Sequence, residues 1–410
     1  MRTLKRNNFI PLMVLIGGSG CLFISFGIRH SFGMYLIPIS NYLEVGREIF
    51  GFAMAIQVLL IGVGSPIFGA LSDKYGSGKA AFLGVILAML GLTWMSNVNN
   101  SFDLIGSLAL MGIGGAGCGT AVVLGAVGRS VKRENRTLSL GVVMAAGSLG
   151  QFVMVPIVAY LIQISSWSNS LINLIFIASL MLLFSYILSF SGKSKSSKEG
   201  SDQTIKESLK EAFSSKSYNL LTIGFFVCGF HVTFVATHLP AFLEDQSLPT
   251  WLGGWSLALV GLFNIIGTLL FGRLGDSLSK KNLLAVLYSL RSVLFLLFII
   301  LPKNELSVLL FASFLGILWL STVPLTSGII SDVFGSYYMS TLYGITFFSH
   351  QIGSFLGSWL GGKIFDFYGS YDAMWWICVA LGFISAMFHV AIIEKPVKRL
   401  SNKKSIYQNE

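Results

Sequence analysis

Charge is what this sequence has least of. Asp, Glu, Lys and Arg make up 11% of its 410 residues, where an ordinary soluble domain carries about 25%. The 18 acids avoid the middles of the apolar runs. Asp103, Glu244, Asp245 and Glu305 sit near one set of run ends, and Asp73, Asp276, Asp332 and Glu394 near the other. This argues against a binding site built on a membrane-buried carboxylate. Cysteine is also sparse. Cys21, Cys118, Cys228 and Cys378 each fall within an apolar run at no metal-ligand spacing, so they read as small hydrophobes rather than disulfides or ligands. The histidines lack metal-ligand spacing as well, and no nucleophile–base set stands out. Neither an enzyme nor a bound cofactor is expected.

Apolar sequence fills the chain instead. Hydrophobic residues make up 54% and the mean hydropathy is +0.74. They fall into runs of about 20 residues, the length of helix that crosses a hydrocarbon core of about 30 Å. Backbone groups in lipid must bond internally, so these runs predict helices; they are too long and too continuously apolar for barrel strands. Twelve spans are expected, at 10–38, 49–71, 80–97, 103–128, 137–161, 170–190, 218–239, 252–275, 282–301, 305–328, 338–362 and 372–393. Arg2, Lys5 and Arg6 before the first run superficially resemble a secretory signal. That run is too long and lacks a clear cleavage site, so a retained helix is expected. Residues 191–217 are polar, contain six lysines and form the longest connection, with a short surface helix expected at Ile205–Phe213.

The placement of charge gives an orientation. Of 28 Lys and Arg residues, 23 lie in the two tails and the even-numbered connections. Arg47, Lys303 and Lys363 lie on the opposite side, and Arg29 and Arg291 lie inside helices. The asymmetry places both termini in the cytoplasm. The net charge of +10 therefore points to anionic lipid headgroups and not to nucleic acid.

The chain also echoes itself. Gly69-Ala70-Leu71-Ser72-Asp73 ends the second helix and Gly272-Arg273-Leu274-Gly275-Asp276 ends the eighth, an offset of 203 residues. Pro38 and Pro240 correspond at an offset of 202, and Gly150 and Gly353 at 203. Near-equal offsets joining helices six apart indicate a 6+6 repeat. They divide the chain into an N-terminal bundle (1–190), a cytoplasmic linker (191–217) and a C-terminal bundle with its tail (218–410).

The connection from Gly69 to Lys79 resembles the signature loop of the major facilitator superfamily. Gly69, Asp73, Lys74, Gly76 and Lys79 match it, Gly78 stands where a basic residue is more usual, and a degraded second copy keeps Gly272, Asp276, Lys280 and Lys281. The resemblance covers essentially the whole helical region. It implies an all-α integral membrane protein with twelve transmembrane helices in two six-helix bundles, acting as a secondary active transporter by alternating access. The first-helix stretch Gly27-Ile28-Arg29-His30-Ser31-Phe32-Gly33-Met34-Tyr35 is similar to that of the monocarboxylate porters and their bacterial relatives, which often place Lys or Arg just before the Ser. Here His30 holds that position. The animal porters commonly carry Asp and Arg in helix 8, whereas residues 252–271 contain neither. The resemblance implies a bacterial inner-membrane protein, acting as a monomer.

Arg29 is the sharpest candidate. It lies about 13 Å of helical rise before residue 38, where a guanidinium facing lipid is expensive. Facing a central aqueous path, it can form a bidentate contact with a carboxylate; the plainer alternative is a snorkelling arginine held by helix carbonyls. His30 points about 100° away from it. His231 is the repeat-related position of Arg29, and His238 lies seven residues later on the same face. Either can bind an anion when protonated, relay a proton, or only bridge helices. His350 and Gln351 in helix 11 are weaker candidates of the same kind, and Arg291 inside helix 9 is as readily structural as functional. Gln57, Gln151 and Asn264 can contact substrate or join helices. Gly69, Asp73, Lys74, Gly76 and Lys79, with Gly272 and Asp276 in the second copy, are the expected gating residues by resemblance. The residues favour a small organic anion as cargo, narrowed by the resemblance to a monocarboxylate, with proton coupling open. The alternatives are efflux of apolar drugs or metabolites, signalled by a wide aromatic cavity from which Arg29 and His231 point away, and a transporter-like membrane sensor.

Overall fold

The computed structural model describes residues 2–130, 136–191, 204–334, 339–397 and 399. Its described elements are all helical. The first half runs α1 (Arg2–His30), α2 (Leu36–Leu43), α3 (Arg47–Tyr75), α4 (Ser77–Met95), α5 (Ser101–Gly117), α6 (Thr120–Ser130), α7 (Arg136–Ile164) and α8 (Trp167–Leu188). After the short helix α9 (Ile205–Phe213) come α10 (Lys216–Asp245), α11 (Thr250–Ser277), α12 (Lys280–Ile300), α13 (Glu305–Leu318), α14 (Thr322–Phe334), α15 (Met339–Tyr368) and α16 (Asp372–Val390). The α9 helix stands where a short surface helix was expected. It starts with a capping box, in which the Glu207 amide donates to Thr204 Oγ1 (3.3 Å) and the Thr204 amide to Glu207 Oε2 (2.6 Å).

Eleven stretches among the described residues are long and apolar enough to cross a bilayer, one fewer than the sequence suggested. The remaining long helix, α15, has 30 residues but carries Lys363, Asp366 and many Ser, Thr and Gly residues, which lower its hydropathy. It packs against both α3 and α10. The molecule is thus an all-α, multi-span membrane protein.

Three expected spans are interrupted. The span expected at 10–38 stops at His30, passes through a 3-10 turn at Phe32–Tyr35 and resumes as α2; that at 103–128 divides into α5 and α6; that at 305–328 divides into α13 and α14. Pro38 and Pro324 are each the third residue of the resumed helix. Proline is tolerated in a first turn, where its missing N–H has no partner to lose, and disrupts the turn before it. Between α5 and α6 the sequence is Gly117-Cys118-Gly119, a poor helix former. Proline alone does not decide, since Pro240, the repeat partner of Pro38, lies inside unbroken α10.

The repeat is visible in the packing. A Cβ on Gly150 would run into the carbonyl of Phe23, and one on Gly353 into that of Phe226. Likewise Gly112 packs on the backbone of Gln57, and Gly316 on that of Val260. The α1–α7 and α3–α5 contacts therefore recur as α10–α15 and α11–α13. One large apolar core is built from residues of 212–392 with Val155, and two others from residues of 14–188 with Ala241.

Candidate functional site

Because α1 stops at His30, Arg29 and His30 occupy its last turn in the interior of the bundle. The C-terminal end of a helix carries partial negative charge, which favours cations there. The next turn is pressed onto α10: a Cβ on Gly33 would meet the carbonyl of Ala236, so only glycine lets the chain approach so closely. This docking leaves a cavity lined by Arg29 and His30 of α1, Met54 and Val58 of α3, and Val232, Thr233, Ala236 and Thr237 of α10. Its volume is about 10 Å³, near the lower limit for one water molecule. The guanidinium of Arg29 lies 6.0 Å from the centroid of the Phe26 ring. It has no acidic partner among the described residues. His30 is 6% exposed and meets the same ring edge-on at 6.0 Å. Thr237 Oγ1 lies 3.3 Å from Ser358 Oγ. One unpaired cation, one imidazole and two hydroxyls therefore face a small, otherwise aliphatic space.

The other histidines lie elsewhere. His231 Nε2 donates to the carbonyl of Cys378 (2.9 Å), and its ring stands edge-on to Phe295 at 5.0 Å. It is buried between α10, α12 and α16, so the repeat relation to Arg29 does not bring it to the cavity. His238 Nε2 donates to the carbonyl of Ser358 (2.7 Å), leaving Nδ1 to accept from the Tyr371 hydroxyl (3.1 Å). His350 bonds Gln351 Oε1 (3.0 Å) and stacks on Phe347 at 5.4 Å. Arg291 is fully buried and donates to the carbonyls of Leu318 and Trp319. None of these four lines the cavity.

The amides join the two halves. Gln151 Nε2 on α7 donates to the carbonyl of Leu257 on α11 (2.8 Å), and Gln351 Nε2 on α15 donates to that of Val58 on α3 (2.9 Å). Asn264 Nδ2 on α11 donates to Ser148 Oγ on α7 (3.0 Å). Gln57 is buried beside the cavity-lining turn of α3, with Oε1 unpaired among the described residues.

Both seams continue to the end of the bundle poor in basic residues. On the α7–α11 seam, Gln163 Nε2 donates to Thr250 Oγ1 (2.9 Å). On the α3–α15 seam, the amides of Arg47 and Glu48 donate to Asp366 Oδ1 and Oδ2 (2.9 and 2.7 Å), so a carboxylate from α15 caps the start of α3. The Arg47 guanidinium pairs with both oxygens of Asp245 at the end of α10 (2.5 and 2.7 Å), donates to Tyr371 and lies over the Phe365 ring at 3.8 Å. Glu48 Oε1 accepts from Trp359 Nε1 (3.0 Å). At the basic end the same four helices behave differently. A Cβ on Gly69, Gly141, Gly272 or Gly344 would meet nothing within 4 Å.

Of the expected gating residues, Gly69 and Gly272 thus face open space at the basic end of α3 and α11. Gly76 makes the one-residue turn between α3 and α4 at φ 99°, a conformation that favours glycine. Lys79 and Asp276 are exposed. The side chains of Asp73 and Lys74 lie outside the described residues. Among the described residues no group of three or more His, Cys, Asp or Glu side chains is arranged to hold a metal.

The sequence reading missed Thr233 and Thr237, which a four-residue polar step on the histidine-bearing helix could have signalled. It also missed the pairing of Arg47 with Asp245 and Asp366. Those partners lie 198 and 319 residues away along the chain, and no local pattern connects them.

A multi-span helical bundle with an unpaired arginine at an interior cavity fits a membrane transporter, and the family match establishes it. Residues 18–358 match the Major Facilitator Superfamily, and the chain belongs to that family, whose fold is a transporter fold and not a catalytic one. It is 25% identical to the "Uncharacterized MFS-type transporter YcxA" of Bacillus subtilis (strain 168), over 88% of this chain and 90% of the relative. It is 20% identical to the oxalate:formate antiporter of Oxalobacter formigenes, over 91% and 90%, and 23% identical to monocarboxylate transporter 12 of Rattus norvegicus, over 93% and 86%. The chain is thus a distant relative of bacterial superfamily members and of the monocarboxylate transporters, and a secondary transporter of a small organic solute.

Proposed function

We propose that the protein carries a small organic anion, a monocarboxylate as the narrower reading, by alternating access through the cavity at the end of α1. The observation that carries this is Arg29: a guanidinium without a carboxylate partner, at the wall of an interior cavity. A lone charge in a poorly hydrated space is stabilised most by an opposite charge, and a carboxylate takes two guanidinium hydrogen bonds at once. Two of the relatives are named for organic anions. His30 is the titratable group that the cavity offers for a coupled proton.

On this reading α15 is the twelfth span, the two bundles are 1–190 and 218–410 joined by 191–217, and the basic end is cytoplasmic. The bonded end of the two seams is then the outer face, closed, and the cytoplasmic end is the open one. The cavity is narrow, aliphatic and bordered by Arg29, which favours an anion over the bulky apolar cargo of a drug exporter.

The test is counterflow in proteoliposomes with a panel of short organic anions and neutral solutes, at several pH values. Wild-type protein should exchange one or more anions, and Arg29→Ala should lose about tenfold or more of that rate with normal insertion, the worth of a charge-assisted hydrogen bond. Equal anion exchange by the two proteins would overturn the reading.

A further inference from the structure

We propose that Arg291 and Asn264 are positioning residues that hold the break between α13 and α14 as a hinge, and that Asn264 ties this hinge to the opposite half of the molecule. The break leaves helix carbonyls without helical partners inside the bundle. Two of them, from Leu318 and Trp319, accept from Arg291 Nη2. The guanidinium thereby sits at the C-terminal end of α13, where the helix dipole is negative. Arg291 is 0% exposed, its Nε and Nη1 have no partner among the described residues, and no acid pairs with it there. A cation so placed is stable only beside oriented carbonyls. If α13 ran on without interruption, those carbonyls would be consumed by the helix. The charge holds the break, and the break houses the charge.

The N–H side of the same break is held from α11. Asn264 Oδ1 accepts from the Leu320 amide (3.0 Å) and from Thr268 Oγ1 (3.2 Å). The amide group of the same side chain donates across the seam to Ser148 on α7 (3.0 Å). One side chain therefore bonds both the break and the opposing half. Separating α7 from α11 removes one of its bonds and frees it to shift with α14. Among the described residues the first half has no such device. Positions 203 residues earlier hold Ala88 and Ile61, and the α5–α6 break is packed by Gly114 against the Ala88 backbone.

Two native thiols report on the two breaks. Cys228 Sγ lies 3.3 Å from Thr322 Oγ1, beside the α13–α14 break, and Cys118 lies within the α5–α6 break; both are buried. The experiment is N-ethylmaleimide alkylation of the purified full chain, followed cysteine by cysteine by peptide mass spectrometry, in wild type, Asn264→Leu, Ser148→Ala and Arg291→Lys. It uses no solute, so it stands or falls separately from the anion reading. Asn264→Leu is expected to raise the Cys228 rate about tenfold, as loss of a buried hydrogen bond raises local opening. Ser148→Ala should raise it in the same direction from the other half, with Cys118 unchanged in both. Arg291→Lys, which keeps the charge but replaces the guanidinium with a single ammonium, should raise it less than Asn264→Leu. An unchanged Cys228 rate in Asn264→Leu and Ser148→Ala would overturn the proposal, as would an equal rise at Cys118, the mark of general loosening. Should Arg291→Lys fail to fold, the other two variants decide.

Discussion

Arg29 and Arg291 meet the same difficulty, a cation held away from bulk water, at the end of a helix that stops inside the bundle. Arg29 ends its own helix and faces a cavity, so its charge remains available; Arg291 is answered by the carbonyls of a neighbouring helix. The sequence showed both as lone cations in apolar runs and ranked Arg29 above Arg291, but not the cause of their difference, which is where α1 and α13 stop. The same holds for Arg29 and His231, equivalent by repeat yet opposite in setting. At this scale the Arg47–Asp245 pair gives a prediction. Its side chains are 15% and 28% exposed, so screening is partial, and a bidentate pair of this kind is worth about 1 kcal/mol. Asp245→Asn should shift the closed state toward opening on the Arg47 side by about fivefold. A Thr237→Cys reporter in the cavity should then react correspondingly faster with a membrane-impermeant maleimide added on that side; an unchanged rate means that the pair does not hold the closure.

Helices were the most legible part of the chain, because lipid thickness dictates their length and lipid requires their backbone bonds to be internal. Their interruptions were not legible. Prolines lie inside α1, α3, α7 and α10 without breaking them, so Pro38 and Pro324 alone did not mark the breaks beside them; packing at Gly33 and bonding at Leu318 and Trp319 show where two of the three fall. Glycines divide in the same way. Gly353 admits no Cβ without displacing the Phe226 carbonyl, whereas Gly69 and Gly272 face open space. Gly353→Leu should lower stability by about 3 kcal/mol or more. Gly272→Ala should be neutral or stabilising by up to about 1 kcal/mol through helix propensity. Thermal unfolding in detergent checks both, and similar behaviour of the two variants would contradict the packing assigned here.

For the molecule as a whole, the two seams carry bonds from the Arg47 end down to the middle of the bundle, and glycines on all four seam helices face open space at the other end. On the proposed alternating-access reading, one open end and one closed end correspond to a single state of the cycle. The proposed orientation in the membrane rests on the basic residues and has a direct test. With the four native cysteines buried, Tyr42→Cys at the basic-poor end should be labelled by an impermeant maleimide on whole cells, and Lys79→Cys only after lysis. The reverse pattern would invert the proposed orientation.

The sequence by itself determined the helical membrane architecture, the repeat and the side on which basic charge accumulates. Each of these follows from composition and spacing, which the bilayer reads locally and without reference to the rest of the fold. Which polar side chains meet, and which cation is left unanswered, was decided only by the tertiary structure. Those outcomes depend on where helices stop and on partners as far apart as Glu48 and Trp359, 311 residues along the chain, and a low-dielectric interior makes each such pairing, or its absence, count.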